Sequence, residues 1–189
     1  MTQLGLFSEP DAGPAGLHYQ DNFIDSAAEW ALIDRIGALP FQRFQFGAFE
    51  GNRRVAWFGY QYDYSQQGLT AAEPIPDWVA PIARQAEAWG SLSEGGVQQV
   101  LCTEYDEGVG VGWHRDKPHF DKVLGLSLGS SCKFRFRRRC GDTWQRYTLE
   151  ARPRSLYLMD GESRSQWEHS IPPVKARRYS ITFRTMKRP

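Results

Sequence analysis

Four histidines occur in the 189 residues: His18, His114, His119 and His169. His114 and Asp116 form an H-x-D pair in GWHRDKP. Alternate residues of a strand point to one face, so both side chains can reach a single ion. His169, in QWEHSIP, follows His114 by 55 residues, a gap that about four short strands fill before returning to the same end of a sandwich. Two imidazoles and one carboxylate cover one face of an octahedral metal and leave three positions open. The pattern alone is weak, because a surface His–Asp pair with an unrelated third His accounts for it equally well.

A second constellation lies in RRYSITFRT. Arg178 and Arg184 are six apart and share a strand face with Ser180 and Thr182 between them. Two guanidiniums turned into a protein interior are costly unless an anion meets them. A dicarboxylate would meet one with each end through charge-assisted hydrogen bonds. With the His/Asp/His set this makes a facial triad, as in non-haem Fe(II) oxygenases, beside a site for an anionic co-substrate.

The elements that must position these residues follow from the rest of the chain. Its length fits one domain, and 41% apolar with 24% charged residues excludes both a disordered chain and a membrane protein. No secretory signal precedes the domain, and three cysteines without close pairing suit a reducing compartment, so a cytoplasmic monomer is expected. Residues 1–17 lack periodicity and read as a flexible tail ahead of a single domain over 18–189. Residues 23–40 predict a helix with a Ser26/Glu29 capping box and an apolar face of Trp30, Ile33 and Ile36. Residues 77–90 predict a second, with Asp77 as N-cap and Pro81 in the first turn. Beyond residue 97 short β-rich segments alternate with Gly, Pro, Asp and Ser, which predicts an antiparallel sandwich or jelly roll, mainly β within an α+β chain. Residues 1–100 hold 5 Lys+Arg and 12 Asp+Glu, residues 101–189 hold 18 and 10, so a basic half is hidden in a net charge of +1. The run Lys133, Arg135, Arg137, Arg138, Arg139 either contacts a nucleic-acid backbone or protects an edge strand with charge. A zinc cluster of Cys132, Cys140 and His119 fits no standard spacing.

The H-x-D pair, His169 nine residues before Arg178, RYSITFR, LGLSLGSSCKFRF and RSLYLMDGESRSQWEHSI together resemble the AlkB family of Fe(II)/2-oxoglutarate dioxygenases, whose last core strand reads R-Y-N-x-T-F-R or close to it. The likeness implies a double-stranded β-helix core over about 97–186, N-terminal helices and a substrate-recognition lid at about 41–70. It implies His114, Asp116 and His169 as iron ligands, and Fe(II), 2-oxoglutarate and O2 as the reacting set. It further implies that Arg178, with Tyr105, meets the distal carboxylate of 2-oxoglutarate and Arg184 the proximal one, while Thr103 stands where the family often has Asn.

For the substrate, the resemblance implies alkylated bases in DNA or RNA, flipped beneath the lid. Arg53 and Arg54 would meet phosphates, Trp57, Tyr60 and Tyr62 would stack on or wall the base, and Arg164 would add a contact; core packing is the competing role for these aromatics. Pro118 stands where members acting on adenine or cytosine often have an acid, which leaves the base open. FGYQYDY and RSLYLMDGESRSQWEHSI are also similar to the family branch that oxidises a wobble uridine of tRNA. Nucleic-acid dealkylation ranks first, tRNA base hydroxylation or demethylation second, protein hydroxylation or demethylation third, and a non-enzymatic nucleic-acid-binding sandwich last. Gln3-Leu4-Gly5-Leu6-Phe7 resembles the peptide by which bacterial repair enzymes dock on the sliding clamp, a further expected partner.

Overall fold

In β13 (Arg178–Met186) the alternation of the sequence becomes an alternation of environments: Tyr179, Ile181 and Phe183 enter one apolar core, while Arg178, Ser180, Thr182 and Arg184 are buried on the opposite face. The computed structural model describes residues 13–46, 49–63 and 67–187; Gln3–Phe7 lies outside them. β13 pairs on one side with β6 (Val97–Tyr105) and on the other with β8 (Phe120–Leu128). This trio is the centre of a seven-stranded sheet in the order β1-β11-β8-β13-β6-β3-β2, where β1 is Leu17–Gln20, β2 Gln42–Phe46, β3 Phe49–Phe58 and β11 Leu156–Met159. A four-stranded sheet has the order β10-β9-β12-β7, with β7 Val111–His114, β9 Cys132–Cys140, β10 Thr143–Ala151 and β12 Glu168–Ile171. β4 (Tyr60–Asp63) and β5 (Gly68–Ala71) form a separate ribbon. Every pairing among the described strands is antiparallel, and the two facing sheets form a jelly-roll core, one of the two architectures, sandwich or jelly roll, that the strand grammar allows.

Two apolar cores hold these layers. One lies between the large sheet and the helices: Leu32 and Ile36 of α1 (Ser26–Gly37) and Ile82, Ala83 and Ala86 of α2 (Ala80–Trp89) pack with Leu124, Leu126, Leu128, Ile181 and Phe183. Burying each large apolar side chain there contributes about 1.5–3 kcal/mol. The other fills the space between the sheets, where Phe134 of β9 meets Tyr157 of β11 at 4.6 Å between ring centroids. Gly125 of β8 makes this possible: it lies opposite Tyr157 in register, and a Cβ there would overlap the phenol ring.

Several local expectations change. Asp25, not Ser26, caps α1, accepting from the Ala28 amide at 2.8 Å. Glu29 is released from any capping role and is buried, accepting from the Gly129 amide at 2.9 Å and from Arg154 at 3.0 Å, which fastens α1 to the large sheet. Trp30 is 70% exposed and leaves the apolar face to Leu32 and Ile36. α2 begins at Ala80 behind Val79 with no side-chain cap, so Asp77 lies before the helix, although Pro81 does sit in its first turn. β9 is an internal strand, which removes edge protection as the reason for its charges. His18 lies in β1, paired with Leu158.

Two predictions follow from this packing. Gly125→Ala lowers unfolding free energy by about 1–3 kcal/mol, the usual cost of overpacking. In a chain also carrying Tyr157→Val the added methyl has room, so urea unfolding shows strong non-additivity; additive costs would contradict the fit. Burial pushes the Cys102 thiol up to about 12, whereas Cys140 is exposed. A thiol reagent therefore labels Cys140 in the native protein and spares Cys102 until unfolding, as peptide mapping would show; early labelling of Cys102 would refute this.

Candidate active site

β7 and β12 lie side by side with His114 and His169 directly opposite, and a register shift follows between His169 and Ile171. The pairing sets the imidazoles 4.3 Å apart between centroids at 62°. Phe134 and Phe136 pack against the His169 ring at 5.4 and 6.3 Å and fix its orientation. Asp116 lies two residues past the end of β7, and a side-chain bond rather than a ladder places it: Arg184 Nη2 donates to its Oδ1 at 2.8 Å. The Asp116 Oδ2 is 3.8 Å from His169 Nε2. The three predicted metal-binding side chains thus converge on one cavity.

Their electrostatics suit a metal. Burial pushes His169 down to about 3 and lowers His114 as well, so both rings are neutral at ordinary pH and the 3.8 Å approach to Asp116 is no ion pair. The Nδ1 of His114 lies 2.9 Å from the Gly112 carbonyl, so Nδ1 carries the proton and donates, leaving the Nε2 lone pair for a ligand bond. Burial opposes ionisation of Asp116, but Arg184, His169, His114 and Arg164 outweigh it and hold the carboxyl well below the usual carboxylate range. Two neutral imidazoles and one carboxylate are the donor set of a divalent metal with open positions. No group of His, Cys, Asp and Glu among the described residues stands as a finished metal cage, and here Asp116 is engaged by Arg184.

Deeper between the sheets lie the two buried arginines, 1% and 9% exposed. Arg178 lies opposite Tyr105 in register, 5.0 Å above its ring, and Nη2 donates to Ser127 at 3.1 Å. Its Nε and Nη1 are buried without a hydrogen-bond partner among the described residues. Arg184 donates to Gln99 at 2.9 Å and to Asp116, and its Nε likewise lacks a partner. Buried guanidinium N–H groups are seldom left unpaired, and an anion of two carboxylates would satisfy both. Thr103 lies opposite Ser180 between them.

Two cavities meet at the triad. The inner one, about 50 Å³, is lined by Thr103, Tyr105, Tyr157, His114, Asp116 and His169, among others. The outer, about 760 Å³, is an open cleft whose walls include Arg53, Trp57, Tyr62, Trp113 and Lys117, and it shares His114, Asp116 and Arg184 with the inner one. Lys117 lies 4.4 Å over the Tyr62 ring, and Tyr62 packs on His119 at 5.7 Å.

Three of the expected substrate residues fall elsewhere. Arg54 pairs with Glu104, and both side chains lie on the helix-covered side of β3 and β6, away from the cleft. Tyr60 is 38% exposed and lines a separate groove, because Gly59, at φ 79°, turns the chain between β3 and β4. Arg164, on the short helix α3 (Gly161–Ser165), donates to the carbonyls of Lys117 and Phe120 at 2.6 and 2.8 Å, bracing the loop after Asp116. Conversely, Tyr157, Ser127, Gln99 and Trp113 join the site although the sequence assigns them no role, even with Trp113, Ser127 and Tyr157 inside quoted segments. What places the side chains of the other three beside Trp113 is cross-strand partnership: Ser127 lies opposite Ser180, Gln99 opposite Arg184 and Tyr157 opposite Gly125.

Residues 39–184 match the model of the 2OG-Fe(II) oxygenase superfamily. Among curated relatives, an Arabidopsis thaliana "Alkylated DNA repair protein ALKBH8 homolog" is 27% identical over 91% of this chain and 58% of its own length. The Mus musculus "tRNA (carboxymethyluridine(34)-5-O)-methyltransferase ALKBH8" is 30% identical over 87% of this chain and 25% of its own. The Rattus norvegicus "Alpha-ketoglutarate-dependent dioxygenase alkB homolog 3" is 28% identical over 87% and 62%. The chain therefore spans from a quarter to about three fifths of the length of these relatives. Among solved structures, OsALKBH1 superposes with a TM-score of 0.69 at 16% identity over 93% of this chain and 99% of that one, and a Pseudomonas putida prolyl-4-hydroxylase with 0.63 at 13% over 91% and 93%, likenesses of fold. With the H-x-D…H set and both buried arginines inside the matched span, the chain belongs to the 2OG-Fe(II) oxygenase superfamily, and within it to the AlkB-like members.

Proposed function

We propose that this chain is an Fe(II)- and 2-oxoglutarate-dependent dioxygenase that oxidatively demethylates alkylated bases in nucleic acid. One observation carries the reading: neutral His114 and His169 and ionised Asp116 stand beside two buried arginines with unpartnered N–H groups, where the inner cavity meets an open aromatic and basic cleft. The donor set fits Fe(II), and the orphaned guanidinium nitrogens fit a dicarboxylate. Bound there with O2, iron and 2-oxoglutarate supply the oxidising power that hydroxylates a C–H bond, and a base N-methyl so hydroxylated is lost as formaldehyde.

The chain's own residues set the rest. His114, Asp116 and His169 would hold the metal, where the inner cavity meets the cleft. Arg178, with Tyr105 and Ser127 beside it, would take the far carboxylate of the co-substrate, while Arg184, which holds Asp116 in its ionised form, would meet the near one. Thr103 supplies a hydroxyl where an amide is common in the family, so Arg178 and Tyr105 bear more of the binding. Phe134 and Tyr157 give the inner cavity aromatic walls, with Phe136 packed against Phe134. At the mouth, Trp57, Tyr62 and Trp113 supply aromatic surface for an extruded base, and Arg53, Arg115 and Lys117 supply positive charge for its phosphates.

Oxidation of a tRNA base is the second reading, favoured by the similarity to the ALKBH8 proteins. Incubating a mixed pool of methylated DNA and tRNA with Fe(II), 2-oxoglutarate and ascorbate decides between them by mass: bases losing about 14 Da mark demethylation and bases gaining about 16 Da mark hydroxylation. No change in any base, with succinate formed on a peptide instead, would refute both. Two substitutions test the machinery. His114→Ala or Asp116→Ala abolishes succinate formation with the fold retained by circular dichroism; undiminished turnover would refute the ligand assignment. Arg178→Gln raises the KM for 2-oxoglutarate by about 10- to 100-fold, the loss of a charge-assisted hydrogen bond, while kcat at saturation changes less. An unchanged KM would remove Arg178 from the co-substrate site.

A further inference from the structure

The basic run of β9 is divided by the pleat. Arg138 is drawn inward by Gln145 at 2.8 Å and Glu162 at 2.8 Å, and it lies 4.9 Å over Trp167. Arg135, Arg137 and Arg139 alternate onto the outer face of the four-stranded sheet and interleave with two tryptophans. Arg135 and Arg137 lie 5.0 and 4.4 Å over Trp113 of β7, and Arg137 and Arg139 lie 4.3 and 5.2 Å over Trp144 of β10. A ladder of stacked cations and indoles therefore crosses the sheet. Its first rung, Trp113, is also a wall of the active-site cleft.

We infer that this outer face is a docking track for a single nucleic-acid strand leaving the cleft, with the arginines on its phosphates and Trp144 under one of its bases. The inference rests on the nucleic-acid reading above and says where the strand runs beyond the target base.

Three features favour a polyanion over bare solvation. β9 is internal, so its charges do not guard an edge. Arg137 and Arg146 are directly opposite in the β9–β10 register, a like-charge pairing that destabilises a hairpin unless an anion lies between. Glu168 answers Arg137 alone, at 2.7 Å, and Glu150 lies opposite Lys133 at the far end of the strand, leaving Arg139 and Arg146 exposed with no carboxylate bonded to either among the described residues. Arg139, held against Trp144 rather than bonded to a carboxylate, keeps guanidinium N–H groups for contact with phosphate. Four strands spaced about 4.8 Å apart carry the track about 14 Å from the cleft.

The test is fluorescence anisotropy with unmodified 12-nucleotide DNA and RNA strands across a salt series, beside succinate formation on a methylated trinucleotide too short to reach Trp144. Both 12-mers bind the wild-type chain far more tightly than the trinucleotide. Arg139→Gln with Arg146→Gln, both at exposed positions, lowers the slope of log K against log salt by about 1.4, two contacts at about 0.7 each. Trp144→Ala weakens the 12-mers about tenfold. Neither variant alters turnover of the trinucleotide. Wild-type affinity and slope in both variants would overturn the track while leaving the proposed function intact. A wild-type chain that neither binds the 12-mers nor oxidises the trinucleotide would overturn both.

Discussion

Arg178 and Arg184 lie on one face of β13, deep between two sheets, and a buried cation is tolerated only where hydrogen bonds and anions meet it. The surrounding structure answers each differently. Asp116 neutralises Arg184, and that bond is also what fixes a carboxylate outside any strand beside two imidazoles. Arg178 has only neutral partners in Ser127 and Tyr105 and keeps two nitrogens unpaired. The fold therefore retains a buried positive site with unpaired N–H groups, and His114, Asp116 and His169 lie beside it where the inner cavity meets the cleft.

Building such a site requires that the strand carrying it be immovable. β13 is held on both edges, by β6 and β8, and its opposite face is committed to the apolar core beneath α1 and α2. Shifting its register by one residue would turn Ser180, Thr182 and the arginines toward that core in place of Tyr179, Ile181 and Phe183, so the hydrophobic pattern enforces the position of the charges. Glu29 and Arg154 fasten α1 over this core, and the Tyr157 ring against Gly125 fills the space beneath the chamber. Stability and chemistry share one strand, divided by the pleat.

What could be read in advance followed the same division. The period-2 pattern of RRYSITFRT and the short β segments were enough for an antiparallel sandwich or jelly roll, because each rests on local spacing. The joining of His169 to the H-x-D pair, and of Tyr105 and Thr103 to the arginines, followed instead from the resemblance to the AlkB family. Arg54 and Tyr60 were beyond such reading. Arg53 and Arg54 differ only in the parity of β3 against β6, which is set by pairing with residues about 50 positions away. Tyr60 and Tyr62 are separated from Trp57 by Gly59, whose positive φ interrupts the alternation. The Ser26 cap failed because an aspartate one residue earlier competes for the same amides. The tryptophan–arginine ladder needs the registers of three strands, two of them distant from β9 in sequence, so its charges read only as a run.

The central claim is that the triad binds a metal beside a dicarboxylate held by the two arginines. Anomalous diffraction at the iron edge from crystals grown without oxygen, with Fe(II) and 2-oxoglutarate, tests it most directly. The account predicts one peak bonded to the Nε2 atoms of His114 and His169 and to a carboxylate oxygen of Asp116, with a carboxylate of the co-substrate on the Nε and Nη1 of Arg178. Iron bound elsewhere, or a triad left empty with those nitrogens still unpaired, would contradict it.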